Sequence, residues 1–326
     1  YEYAYVKTRS DHNWHGIQSG WDIKRMLGTV PVEEDGSVIF KAPANTPISI
    51  QPLDKDGVAI QWMRSWVTGQ PGEVVSCIGC HEDQNQIAIP KRVIASQKAP
   101  SALTLPEGGT RSFTFDLEVQ PILDRACIAC HNGEGKAFDL RGGKKDKLGY
   151  GTSYLNLHPY VHRQGGEGDM VVLQPYEYHP NTSELVRLLK KGHHNVKLTD
   201  KEWKTLYNWI DYNAPDKGYF NANVLTDLPY KGFDQIKRRK ELTDKYANGA
   251  GVDWKKEIAD YADYLKKQGP ITPVMPEKAA PVKEKTLKVK GWPFGADRIK
   301  EMLAKEKETR KAVSYTHLTL PTNSLV

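Results

Sequence analysis

Apolar and polar positions change their period along this chain, and the change divides it. From Gly28 to Thr68 the apolar positions come in short runs that suit β-strands. Thr29-Val30-Pro31-Val32 precedes Asp35-Gly36, a hairpin-turn pair, and Ser37-Val38-Ile39-Phe40 follows. Pro43 and Pro47 punctuate before Ile48-Ser49-Ile50 resumes. A second turn, Asp56-Gly57, leads into Val58-Ala59-Ile60-Gln61-Trp62, which alternates as a half-buried strand does. Strands this short at this spacing predict a small β-sandwich-like unit.

Past an Ala-, Pro- and Ser-rich linker from Ile87 to Leu105 the period becomes helical. Phe113-Thr114-Phe115-Asp116 introduces a helix with Pro121 in its first turn and Val119, Ile122, Leu123 and Ala126 on one face. Asn181-Thr182-Ser183-Glu184 predicts the start of a second helix. Its apolar stripe is Leu185, Leu188 and Leu189, and Gly192 stops it. Thr199 and Glu202 have capping-box spacing. They open a helix that buries Trp203, Leu206, Trp209 and Ile210 and stops at Ala214-Pro215. Farther on, Trp254, Ile258, Tyr261 and Leu265 make one more amphipathic face. Pro270 to Lys290 reads as a Pro- and Lys-rich linker, and Trp292-Pro293-Phe294 begins a last helix through Ile299 and Leu303. From Ser314 to Val326 the composition breaks abruptly, so this stretch, with His317, is set aside as a non-native tail.

Charge changes the picture in one place. Of the net +6, residues 235–313 carry 20 Lys and Arg against 12 Asp and Glu, an excess of 8, so the remainder is near −2. The basic balance belongs to the C-terminal helices as a solvated surface, and no nucleic-acid-binding motif accompanies it. No apolar run approaches the length of a membrane-spanning helix. Tyr1 opens in mid-pattern, which implies a chain begun upstream.

The four cysteines carry the chemistry. All of them fall in two pentapeptides, Cys77-Ile78-Gly79-Cys80-His81 and Cys127-Ile128-Ala129-Cys130-His131. Cys-x-x-Cys-His is the attachment signature of a c-type haem. Each thiol adds to one haem vinyl group, and the adjacent histidine reaches the iron. A disulfide, a redox Cys-x-x-Cys pair or half a zinc site are the bland readings. A four-cysteine zinc site leaves both histidines unexplained, and a thioredoxin-like pair needs a βαβ pattern that is not present. Two covalently bound haem c groups are therefore expected, with His131 and His193 as the axial pair of the second and His194 as the competitor. For the first haem, His81 is the expected proximal ligand, and the distal one is His12, His15, Met63 or none. Covalent haem c is made outside an energy-transducing membrane, so a periplasmic or equivalent lumen is implied.

Further residues carry a family resemblance. Gly28 to Ser37, Lys41-Ala42-Pro43-Ala44, Leu53-Asp54, Met63-Arg64-Ser65-Trp66 and Gln70-Pro71-Gly72-Glu73, ending at Cys77 to Glu82, resemble the middle domain of the hydrazine synthase alpha subunit family. Val119 to Leu123, Cys127 to His131, Lys191 to His194, and Trp209-Ile210-Asp211 with Asn213-Ala214-Pro215 are similar to its C-terminal dihaem-family domain. Gly291-Trp292-Pro293-Phe294 resembles it faintly. The resemblance implies a β-propeller ahead of Tyr1. It also implies an unusual first haem, whose motif histidine goes to zinc while a tyrosine four residues later binds iron. Asn85 stands at that position here and supplies no phenolate.

The expectation is thus an α+β chain. Residues 1–25 are a remnant of a preceding domain, and 26–100 are a β-rich, sandwich-like domain with the first haem. Residues 101–217 are an α-helical, cytochrome c-like domain with the second. A basic helical region and linker, 218–312, and the tail, 313–326, complete it. The leading functional reading is a dihaem electron-transfer module of a secreted multidomain protein with a redox partner protein that the sequence does not name. The alternatives are a hydrazine synthase-type oxidoreductase subunit and a scaffold in which haem is structural.

Overall fold

The computed structural model describes residues 24–63, 65–78, 92–135, 137–147, 149–163, 174–218, 241–242, 244–246, 253–277 and 304. The chain divides into two compact units, Tyr1–Lys278 and Ala279–Val326, and of the second only Ala304 is described. The helix expected from Trp292 and the tail therefore lie outside the described residues.

The first unit mixes helix and strand. Strand β1 (Arg25–Met26) pairs antiparallel with β2 (Arg111–Ser112), Arg25 opposite Ser112. Both hairpin turns form where Gly36 and Gly57 adopt φ of +81° and +79°. Each spans a three-residue loop: Glu33 N–H donates to Ser37 O at 2.9 Å, and Asp54 N–H to Val58 O at 2.8 Å. The strands around them do not extend. Among the described residues, pairing there is limited to isolated bridges such as Ile48 with Val67 and Leu53 with Ala59. Pro31, Pro43, Pro47 and Pro52 each remove a ladder donor. Thr29 and Phe40 bridge instead to Thr104 and Ser101, so the end of the expected linker is tied into the β-rich segment.

The helices build the core. Helix α1 (Phe115–Glu118) is followed after Val119 by α2 (Gln120–Ala126), with Pro121 in its first turn, where a missing N–H costs nothing. Then come α3 (Thr152–Leu157), α4 (Glu184–Lys190), α5 (Asp200–Asp211) and α6 (Trp254–Lys267). Phe115, Tyr154 and Trp209 are fully buried and meet in tilted and edge-on contacts at 5.2 to 6.3 Å. Their polar ends are satisfied: Trp209 Nε1 donates to Pro215 O at 3.0 Å and Tyr154 OH to Ala214 O at 2.9 Å. Those carbonyls are within reach because Asn213 and Ala214 both turn to positive φ as α5 stops.

Local signals set the helix ends. Thr199 and Glu202 form the reciprocal capping box of α5, as expected. Gly192, at φ +95°, ends α4. The start of α4 differs from expectation. The Ser183 hydroxyl accepts a hydrogen bond from His162 N–H at 3.0 Å instead of capping its own helix. A 3-10 turn, Pro180–Thr182, precedes it, capped by His179. The expected leucine stripe of α4 is only half-buried, and Val186 is its fully buried residue. α6 packs on β2 through an ion pair of Arg111 with Glu118, to which Tyr261 OH donates at 3.0 Å. The Arg111 guanidinium lies 3.4 Å from the Tyr261 ring centre.

Candidate functional site

The site is built at the C-terminal end of α2. The helix does not simply stop there. Cys127 N–H donates to Leu123 O at 2.8 Å, and His131 N–H donates to Cys127 O at 2.9 Å, so the Cys127–His131 segment continues as a turn. Both thiols are free. Cys127 is half-buried and Cys130 is exposed, and burial pushes the Cys127 thiol up to about 12. That thiol is protonated at neutral pH and is no poised thiolate.

The loop after His131 fixes the imidazole. Leu140 N–H donates to His131 O at 2.9 Å, bringing the loop back. His131 Nδ1 lies 3.0 Å from Phe138 O. A carbonyl only accepts, so Nδ1 carries the proton of the neutral ring and Nε2 keeps its lone pair. That is the tautomer a metal-binding histidine uses, with its outward N–H on a carbonyl.

Across from it stands His193. The chain leaves α4 at Gly192 in a left-handed conformation and enters a 3-10 turn, His193–Asn195. The ring centres of His193 and His131 are 6.1 Å apart, tilted by 37°. His193 is half-buried, whereas His194 is exposed and packs edge-on to it at 4.6 Å. Burial lowers the His193 pKa, and the neighbouring His194 and His131 lower it further, so the neutral imidazole is favoured. The structure thus brings together Cys127, Cys130, His131 and His193, and sets His194 to the side. Among the described residues no group of three or more His, Cys, Asp or Glu side chains forms a metal cage. The arrangement offers two imidazoles with ring centres 6.1 Å apart beside two thiols.

The first pentapeptide is only partly described. Cys77 is exposed, and Ile78 is exposed beside it. Cys80, His81, Asn85, His12 and His15 lie outside the described residues. Met63 is described, and its sulfur accepts Ile50 N–H at 3.4 Å, which engages it in the local fold.

Residues 1–82 match the family model of the hydrazine synthase alpha subunit middle domain. This stretch of the chain is similar to the hydrazine synthase alpha subunit middle domain. The match ends one residue past His81, so it takes in the whole first Cys-x-x-Cys-His and stops short of the second. Neither a curated protein nor a solved structure matches the chain. The hydrazine synthase alpha-like segment joins the helices through side chains that carry no sequence signal. Asp211 Oδ2, at the end of α5, accepts Ala59 N–H at 2.9 Å, and Gln51 Nε2 donates to Asp211 O at 3.3 Å. Burial pushes the Asp211 carboxyl up to about 7. The Trp62 indole N–H is near enough to favour the charged form but makes no well-formed hydrogen bond.

A second set escaped the sequence as well. Arg125, two residues before Cys127, forms an ion pair with Glu202 of the capping box and donates from Nη2 to Lys197 O at 2.9 Å. It ties the end of α2 to the start of α5 beside the His193 turn. No spacing rule links residues 77 positions apart.

Proposed function

We propose that the chain is a dihaem c-type module that carries electrons within a larger exported protein. One haem is held at Cys77, Cys80 and His81, and the other at Cys127, Cys130, His131 and His193. In this reading residues 101–217 are a cytochrome c-like domain, and its partner is another redox protein. The observation that carries the reading is the spacing of the two imidazoles. A ring nitrogen binds a metal at about 2.0–2.1 Å, so two rings sharing one iron have centres about 6 Å apart. His131 and His193 stand at 6.1 Å. The thiols precede His131 in the turn that delivers it, and the half-buried, protonated Cys127 suits an apolar cofactor better than a thiolate site. A haem held there supplies reversible one-electron chemistry. Two histidine ligands leave no open position, which favours electron transfer over substrate binding at this haem.

A hydrazine synthase-type oxidoreductase subunit is the second reading, favoured by the family match over residues 1–82. Asn85 weighs against it, because it stands where the resemblance calls for an iron-binding tyrosine. Covalent attachment places either form in the periplasm or an equivalent lumen. The test is expression in a host that matures c-type cytochromes, followed by acid-acetone extraction and haem staining of the denatured chain. Both haems are expected to stay on the protein. Colour that extracts completely overturns the proposal.

A further inference from the structure

Residues 269–277 follow α6 as Gly-Pro-Ile-Thr-Pro-Val-Met-Pro-Glu, with Pro270, Pro273 and Pro276 three apart. Gly269 ends α6 at φ +90°, and the chain then runs on without helix or strand. Proline at every third position suits a polyproline-type extended segment, which rises about 3.1 Å per residue. The segment is tied at two points. Val274 N–H donates to Arg125 O at 2.7 Å, occupying a carbonyl in the last turn of α2. Asn195 Nδ2 donates to Glu277 O at 3.3 Å. Arg125 lies two residues before Cys127, and Asn195 two after His193. The anchors therefore sit on the thiol side and on the His193 side of one site, and three residues of extended chain span about 9 Å between them.

Between those anchors lie large apolar side chains that the described residues leave half or more exposed. Val274 is 50% and Met275 66% exposed, and Ile271 just ahead is 46% exposed. A tethered, proline-stiffened segment with bare apolar side chains is out of place as a solvated linker.

We propose that residues 270–277 are a strap over the edge of the second haem, and that Val274 and Met275 shield it from water. The inference rests on the haem reading above. The strap does not ligate the iron. It replaces water at the haem edge with apolar side chains, which disfavours the more highly charged ferric form and raises the reduction potential.

The test is a potentiometric titration of the full-length holoprotein and of its Val274→Ser/Met275→Ser variant. The second haem is the low-spin component that His193→Ala removes. Folding does not depend on side chains this exposed, and Met275→Gln gives a second, milder variant. The proposal expects unchanged covalent haem content, an unchanged low-spin spectrum, and a potential lowered by about tenfold in the reduction equilibrium, about 59 mV for one electron. Met275→Gln is expected to shift it the same way by less. An intact low-spin haem with an unmoved or raised potential in both variants overturns the strap and leaves the haem reading standing. A chain that holds no haem at Cys127 and Cys130 removes both.

Discussion

The tautomer of His131 is decided by a backbone carbonyl seven residues on, and the placing of His193 by one glycine. Phe138 O forces the proton onto Nδ1. Gly192 takes φ +95°, and a Cβ there meets nothing within 4 Å, so replacing it by alanine carries a conformational cost and no clash. Gly192→Ala is expected to destabilise the fold by about 1–2 kcal/mol in urea unfolding. A loss well beyond that would mean the glycine has a packing role the structure lacks. His193→Ala is expected to abolish one low-spin haem signal, and His194→Ala to leave it. His193 was legible in the sequence because a helix stripe followed by glycine announces where the chain turns. Phe138 was not, since any residue supplies a carbonyl.

Helix α5, and the end of α4 at Gly192, were legible because the signals there are local. The capping box of α5 needs only Thr199 and Glu202, three residues apart, and both halves form. Thr199→Ala is expected to cost about 1 kcal/mol, the usual value of such a cap. Glu202→Ala is expected to cost more, because the same carboxylate also pairs with Arg125. Its pKa is lowered against the pull of burial by Arg125 and Thr199. Equal losses in thermal unfolding of the two variants would show that the ion pair adds nothing. Strands were less legible. The alternation expected from Val58 to Trp62 does not hold, since adjacent Val58 and Ala59 and adjacent Gln61 and Trp62 are buried while Ile60 is half-buried, and pairing stays at single bridges. Prolines interrupt the ladder, and β-pairing depends on partners such as Ser101 and Thr104 that the local pattern does not name.

Across the whole molecule, the joints between distant segments were invisible in the sequence. Asp211 with Ala59, Arg111 with Tyr261 and Val274 with Arg125 link residues with no shared period. Two buried carboxyls, Asp211 at the end of α5 and Asp216 just past it, give the fold a pH dependence. Burial raises the Asp211 and Asp216 carboxyls to about 7, the latter against the pull of Lys217. A carboxyl with a raised folded pKa binds its proton more tightly folded than unfolded. Stability is therefore highest below the window, falls as pH rises from about 4 to about 7, and is level above it. Each unit of elevation is worth about 1.4 kcal/mol. Asp211→Asn is expected to flatten the upper part of that fall in melts between pH 5 and pH 8. A wild-type melting temperature that rises across this range would contradict the assignment. At this scale the proposed haem iron joins two segments, the end of α2 and the turn after α4. Its most direct measurement is the electron paramagnetic resonance spectrum of the ferric holoprotein beside those of His193→Ala and His194→Ala. The account predicts a low-spin bis-histidine signal that persists in His194→Ala and turns high-spin in His193→Ala. A signal lost only in His194→Ala, or kept in both variants, would contradict it.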